Sequence, residues 1–127
     1  MRSIGKPMPS FSQRSLNNLA TCHKDLQRVA HEAIKHFDFT VICGHRGKAE
    51  QDKAFKEKKS KLKWPDSKHN KVPALAMDCT PVPLDWKDIN SFHEMAKHMK
   101  AAARKLGVTI RWGGDFRDFF DGPHWEL

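Results

Sequence analysis

No stretch of the chain approaches the ~18 consecutive apolar residues that cross a bilayer. The opening residues, MRSIGKPMPSFSQRS, hold no apolar core of the kind an export signal carries, so a protein made in the cytosol without a signal peptide is expected. Cysteine is scarce. Cys22, Cys43 and Cys79 are odd in number, widely spaced and include no C-x-x-C pair. That excludes a disulfide scaffold and a four-cysteine zinc knuckle, and leaves buried structural thiols. Internal repeats, low-complexity tracts and linkers are also missing. The 127 residues therefore suit one domain, 1–127, with 1–14 as an extended lead-in.

What is present is a chain with 39% hydrophobic and 30% charged residues, enough for a core without disulfides. Twenty-three Lys and Arg against fifteen Asp and Glu leave a net charge of +8. A basic protein of this size seeks a polyanion: nucleic acid, anionic lipid or an acidic cell wall. Charge alone does not choose among them.

Apolar residues recur at helical spacing from Leu16 to Ile34, which predicts one helix over 15–36. The β-branched run Phe39–Cys43, closed by Gly44, predicts a buried strand. A second helix is expected over 49–59, then a long loop over 60–73 and a strand over 74–80. A third helix is expected from about Asp88 to Leu106, with Ser91 and Glu94 resembling a capping box and Gly107 as its C-terminal stop. A strand over 108–112 and a final strand after the Asp121-Gly122-Pro123 turn complete an α+β order.

Eight histidines invite sorting. His23, His31, His36, His93 and His98 fall on predicted helices and read as solvated; His45, His69 and His124 lie beside strand ends or in loops. Asp78 stands inside an otherwise apolar strand, where an ionised carboxylate is costly unless something positive meets it. Strand alternation puts it on the face of Ala76 and Thr80, opposite Met77 and Cys79. His69, Asp78 and His124 would form a two-imidazole, one-carboxylate zinc set, with Asp121 near enough to act as general base. Equally, Asp78 could pair with a Lys or Arg and His124 could be an ordinary half-buried histidine. The residues alone leave both open.

Rival chemistries fare less well. Non-haem iron sites usually carry H-x-D, not the wide gap found here. A glycosidase could draw on Asp115, Asp118 and Asp121, although a solvated turn explains most of them. A cysteine hydrolase finds no activated thiol, since Cys79 points to the core and Cys22 sits mid-helix in the predicted pattern. The competitor from another class is a DNA-binding protein. It would use the basic segment 48–71 with Trp64 for stacking, but would not need His69, Asp78 and His124.

Taken together, Ser67-Lys68-His69, Ala76-Met77-Asp78 and Asp121-Gly122-Pro123-His124 resemble an S-x-H…A-x-D…(D/E)-x-x-H pattern. It belongs to the zinc peptidases of the D-Ala-D-Ala carboxypeptidase and L-alanyl-D-glutamate endopeptidase family. Gly44-His45-Arg46 with Gln51 is similar to that family's G-x-R…Q segment, and Ile110–Asp115 resembles the strand before its last motif. The ordered match spans about residues 15–127 and looks most like small single-domain endolysins of tailed bacteriophages.

The resemblance implies a Hedgehog/DD-peptidase-like fold, a small antiparallel sheet packed with about three helices. It implies Zn2+ held by His69, Asp78 and His124, Asp121 as base and then acid, and Arg46 steadying the substrate carbonyl and oxyanion. Ser67 would hydrogen-bond substrate or its neighbouring loop. The substrate would be the peptidoglycan stem peptide. A monomer would wait in the host cytoplasm until lysis and then reach the periplasm and cell wall. Basic surface, rather than a separate wall-binding domain, would attract it to the anionic envelope. Two departures stand out: eight residues lie between His69 and Asp78 where H-x6-D is usual, and the base is Asp rather than Glu. The shorter carboxylate resembles the endopeptidase branch and favours the L-alanyl–D-glutamyl bond, with D-Ala-D-Ala carboxypeptidase activity as the alternative.

Overall fold

A computed structural model describes residues 9–127, so the first eight residues of the expected lead-in lie outside the described residues. Four helices, α1 (Gln13–Leu19), α2 (Lys24–Ala33), α3 (Lys48–Lys56) and α4 (Ile89–Leu106), pack with one antiparallel sheet. Its strands are β1 (Phe39–Cys43), β2 (Ala76–Pro81), β3 (Arg111–Trp112) and β4 (His124–Glu126), in the order β1-β2-β4-β3. No described helix is long and apolar enough to cross a membrane.

The single helix expected over 15–36 is two helices. Ser12 caps α1 through its hydroxyl, and His23 caps α2 by accepting from the Asp25 N–H at 3.0 Å. Between them the backbone leaves helical geometry to pair with Ala74. His23 N–H donates to the Ala74 carbonyl at 2.8 Å, and Ala74 N–H to the Thr21 carbonyl at 2.9 Å. Helical spacing continues across the break because both helices bury the same side of the chain. Cys22 is therefore a buried residue of the junction, not a mid-helix one.

Other boundaries move less. α4 is capped by the Asp88 carboxylate, which accepts from Ser91 N–H at 3.2 Å, so the cap lies three residues before the expected Ser91 box. Gly107 ends it at φ 69°, a conformation that favours glycine. The strand expected over 108–112 is reduced to Arg111–Trp112 because Val108 N–H is still tied to the Ala103 carbonyl of the helix end.

The core lies between the sheet and the helices α2 and α4. Leu26, Val29, Met77, Met95, Met99 and Trp125 are all at 1% exposure or less. Trp112 and Trp125 stack with centroids 5.9 Å apart and lock β3 against β4. Burying such rings contributes on the order of 3 kcal/mol each. The opposite face of the sheet is thereby free to carry polar side chains.

Candidate metal centre

Strand register brings the polar residues together. Asp78 of β2 stands opposite His124 of β4 on one side and Cys43 of β1 on the other. β1 reaches that row through a bulge: Val41 pairs with Cys79, yet Cys43 pairs with Asp78, so two residues oppose one. The next row holds Ala76, Glu126 and Arg111. Alternation sends Met77, Cys79 and Trp125 into the core and leaves Asp78 and His124 on the far face.

His69 arrives over this row on a short 3-10 helix, Lys68–Asn70. The Ser67 hydroxyl accepts from His69 N–H at 3.2 Å, Asn70 Oδ1 accepts from Ser67 N–H at 3.1 Å, and Arg46 N–H donates to the His69 carbonyl at 2.8 Å. The long His69-to-Asp78 spacing does not displace the imidazole. Lys71, Val72 and Pro73 loop out into solvent, and the chain re-enters at Ala74.

The imidazole orientation follows from its partners. His69 Nδ1 lies 2.8 Å from the Gly44 carbonyl, which can only accept, so Nδ1 carries the proton and Nε2 presents its lone pair. That Nε2 is buried with no hydrogen-bond partner among the described residues, and it faces Asp78 Oδ1 at 3.3 Å. His124 Nδ1 approaches the same oxygen at 3.4 Å, while its Nε2 meets Glu126 Oε1 at 2.8 Å. Two ring nitrogens thus converge on one carboxylate oxygen in a largely buried place.

Three electron-rich atoms so arranged call for positive charge. Without a metal, protons supply it. Burial opposes protonation of His69, but the adjacent Asp78 carboxylate outweighs it and raises the imidazole to about 10. His124 is raised in the same way against the same burial penalty. Burial alone would push Asp78 up; the His124 and His69 imidazoles against it hold it well below the ordinary carboxylate range. An orphaned Nε2 beside a carboxylate and a thiol suits a metal ion: ligand atoms of Cys43, His69 and Asp78 lie within 4.8 Å of one another, and His124 Nδ1 adds a second imidazole 3.4 Å from the same carboxylate.

Asp121 and Arg46 flank the cluster. The Asp121-Gly122-Pro123 turn is fastened at three points: Asp121 N–H donates to the Gly113 carbonyl at 3.0 Å, Trp112 Nε1 to the Gly122 carbonyl at 2.7 Å, and Cys79 N–H to the Pro123 carbonyl at 2.8 Å. Burial raises the Asp121 carboxyl, the negative charge of Asp78 raises it further, and His124, His69 and Arg46 partly counter them. Arg46 lies with Nη2 at 3.4 Å from Asp78 Oδ2 and Nη1 at 3.0 Å from Gln51 Oε1. Gln51 is fully buried in α3 and is itself held by its donation to Ser60 Oγ and the Leu62 carbonyl.

Of the residues expected at the site, the fold brings His69, Asp78, His124, Asp121 and Arg46 together. Ser67 is buried, and its hydroxyl accepts from the His69 N–H within its own loop. Asp115, one of the rival carboxylates, is paired with Lys100 at 2.7 Å instead. Two neighbours went unnoticed in the sequence. Cys43 is half-buried rather than a core thiol, and offers a sulfur within 4.8 Å of ligand atoms on His69 and Asp78. Glu126 touches His124. The strand pattern H-W-E could have signalled it, since His124 and Glu126 share a face across the buried Trp125.

Comparisons with known proteins place the chain in a family. The Escherichia phage T5 protein named L-alanyl-D-glutamate peptidase is 32% identical over 133 aligned positions, covering 92% of this chain and 96% of that one. The crystal structure of Serratia marcescens L-Ala D-Glu endopeptidase ChiX is similar, with a TM-score of 0.80 and 30% identity over 92% of this chain and 88% of that chain. Residues 8–127 match the family described as phage L-alanyl-D-glutamate peptidase, which takes in every residue of the cluster. This chain therefore belongs to the phage L-alanyl-D-glutamate peptidase family.

Proposed function

We propose that the chain is a zinc-dependent peptidoglycan hydrolase that cleaves the L-alanyl–D-glutamyl bond of the stem peptide and acts as a phage endolysin in host lysis. The observation that carries this reading is the convergence of His69 Nε2 and His124 Nδ1 on Asp78 Oδ1. His69, Asp78 and His124 would hold the ion. Zinc bound there would polarise the scissile carbonyl and acidify water.

The chain's own residues do the rest. Asp121, with its proton affinity raised by burial, takes the proton of the attacking water and returns it to the leaving amine. Arg46 keeps a permanent positive charge beside the cluster, where negative charge grows on the substrate oxygen. Gln51 prevents that guanidinium from swinging away. The protein works as a monomer, is retained in the host cytoplasm and reaches the wall at lysis. Exposed lysines of segment 48–71 draw it to the anionic envelope; Lys63 lies over Phe55 of the same segment at 5.1 Å and Lys61 over Phe119 near the C-terminus at 5.0 Å.

The test is digestion of purified peptidoglycan by metal-free and zinc-restored protein, with products identified by mass spectrometry. Zinc-dependent appearance of a new D-Glu amino terminus supports the endopeptidase. Release of single D-Ala moves the chain to the carboxypeptidase alternative. No zinc-dependent cleavage of any wall bond overturns the enzyme and turns attention to nucleic acid as the partner of the basic surface.

A further inference from the structure

Beside the row of Asp78 and His124 lies the row of Ala76, Glu126 and Arg111. Glu126 is 9% exposed, an unusual burial for a carboxylate, and both of its oxygens are engaged. Oε1 lies 2.8 Å from His124 Nε2. Oε2 takes Arg111 Nη1 at 3.3 Å and Lys68 Nζ at 3.2 Å. Ala76, directly across β2, is small enough to leave room for the glutamate on that face.

We propose that Glu126 is a positioning residue for the metal centre, selecting which nitrogen of His124 faces Asp78. The proposal rests on the zinc reading above. An ionised carboxylate only accepts, so its contact keeps the proton on Nε2 and leaves the Nδ1 lone pair directed to Asp78. Without it, the ring is free to adopt the other tautomer or to turn about its Cβ–Cγ bond.

The two cations give the glutamate its own fixed orientation. Arg111 holds it from β3. Lys68 holds it from the 3-10 helix and also donates to the Leu127 carbonyl. Lys68 immediately precedes His69, so the Lys68–Glu126 pair ties the segment carrying one imidazole to the strand carrying the other. A glutamate that served only to brace the sheet edge would need no contact with His124 at all.

The experiment is zinc affinity by chelator competition for the full chain, Glu126→Ala and Glu126→Gln, with nitrogen-15 NMR of the histidine rings in the zinc-loaded full chain. Expected are about a 10- to 100-fold weaker affinity in Glu126→Ala, a smaller loss in Glu126→Gln, whose amide oxygen still accepts, and His124 bound through Nδ1 with Nε2 protonated. A loss under about threefold in Glu126→Ala, or His124 bound through Nε2, overturns the proposal. If Glu126→Ala does not fold, the ring tautomer and Glu126→Gln decide: binding through Nε2, or no loss of affinity in Glu126→Gln, overturns it. Tight zinc in the full chain that is lost in His124→Ala but untouched in Glu126→Ala removes only the role of Glu126. Absence of stoichiometric zinc in the full chain overturns the metal reading and this inference with it.

Discussion

Asp78 and His124 stand directly opposite each other on β2 and β4, with Asp78 Oδ1 3.4 Å from His124 Nδ1. The same oxygen lies 3.3 Å from His69 Nε2, so one carboxylate organises both imidazoles. Replacing Asp78 or His124 by Ala should abolish stoichiometric zinc, read by elemental analysis after dialysis. Peptidoglycan hydrolysis should fall at least about 10³-fold, on the order of 4 kcal/mol of transition-state stabilisation. Retention of one zinc per chain in both variants would place the metal elsewhere.

Acid–base behaviour should reverse sign with metal loading. In the metal-free protein the His69 pKa is raised to about 10, so the stability it contributes is complete below the ordinary value of 6.5 and is lost as pH climbs towards 10. Zinc requires the neutral imidazoles, so its affinity grows over the same interval. Thermal melts from pH 6 to 10 should show Tm falling in the presence of chelator and holding or rising with zinc. Parallel curves would mean that His69 and zinc do not compete for the same lone pair.

Asp121→Asn keeps the shape of the turn and removes the proton acceptor. Zinc content should stay at that of the parent protein while kcat drops about 10²- to 10⁴-fold. In the metal-free parent, carbon-13 NMR should find the Asp121 carboxyl titrating above the ordinary 3.8, as burial and Asp78 require. A variant with unchanged kcat would leave the base unassigned.

Gly113, the residue after β3, presses on the Asp121–His124 turn. A Cβ there would lie 2.2 Å from the Asp121 carbonyl oxygen and 2.9 Å from His124 Cβ, and backbone cannot yield as a flexible side chain would. Gly113→Ala should cost about 2–3 kcal/mol in denaturant unfolding and lower hydrolysis as well. Gly107→Ala, at positive φ but with open space around it, should cost about 1 kcal/mol and leave hydrolysis unchanged. Equal effects of the two on activity would mean that the turn is not clamped by Gly113.

Much of the site was legible because its signals are local. An ionisable residue inside the apolar run Ala74–Thr80 is a departure that desolvation makes visible from the sequence alone, and so Asp78 stood out before any partner was known. The β-branched run of β1, the periodicity of α4 with its Gly107 stop, and the turn at Asp121–Pro123 depend on neighbours a few residues away. Sorting the histidines put His69 and His124 beside it, and the resemblance in ordered motifs supplied Arg46.

Other features needed the folded chain. The break between α1 and α2 is made by hydrogen bonds to Ala74, some fifty positions downstream, and helical spacing carries no trace of such a contact. Cys43 lines up with Asp78 only because of the bulge in β1, and Glu126 meets Lys68 and Arg111 only once three separate segments converge. Which nitrogen of His69 holds its proton is decided by the Gly44 carbonyl, a backbone atom of another loop. Side-chain type and alternation are properties of one strand, so sequence determines which residues can share a face. Register and loop closure are relations between strands, and only the tertiary structure decides which of those residues touch.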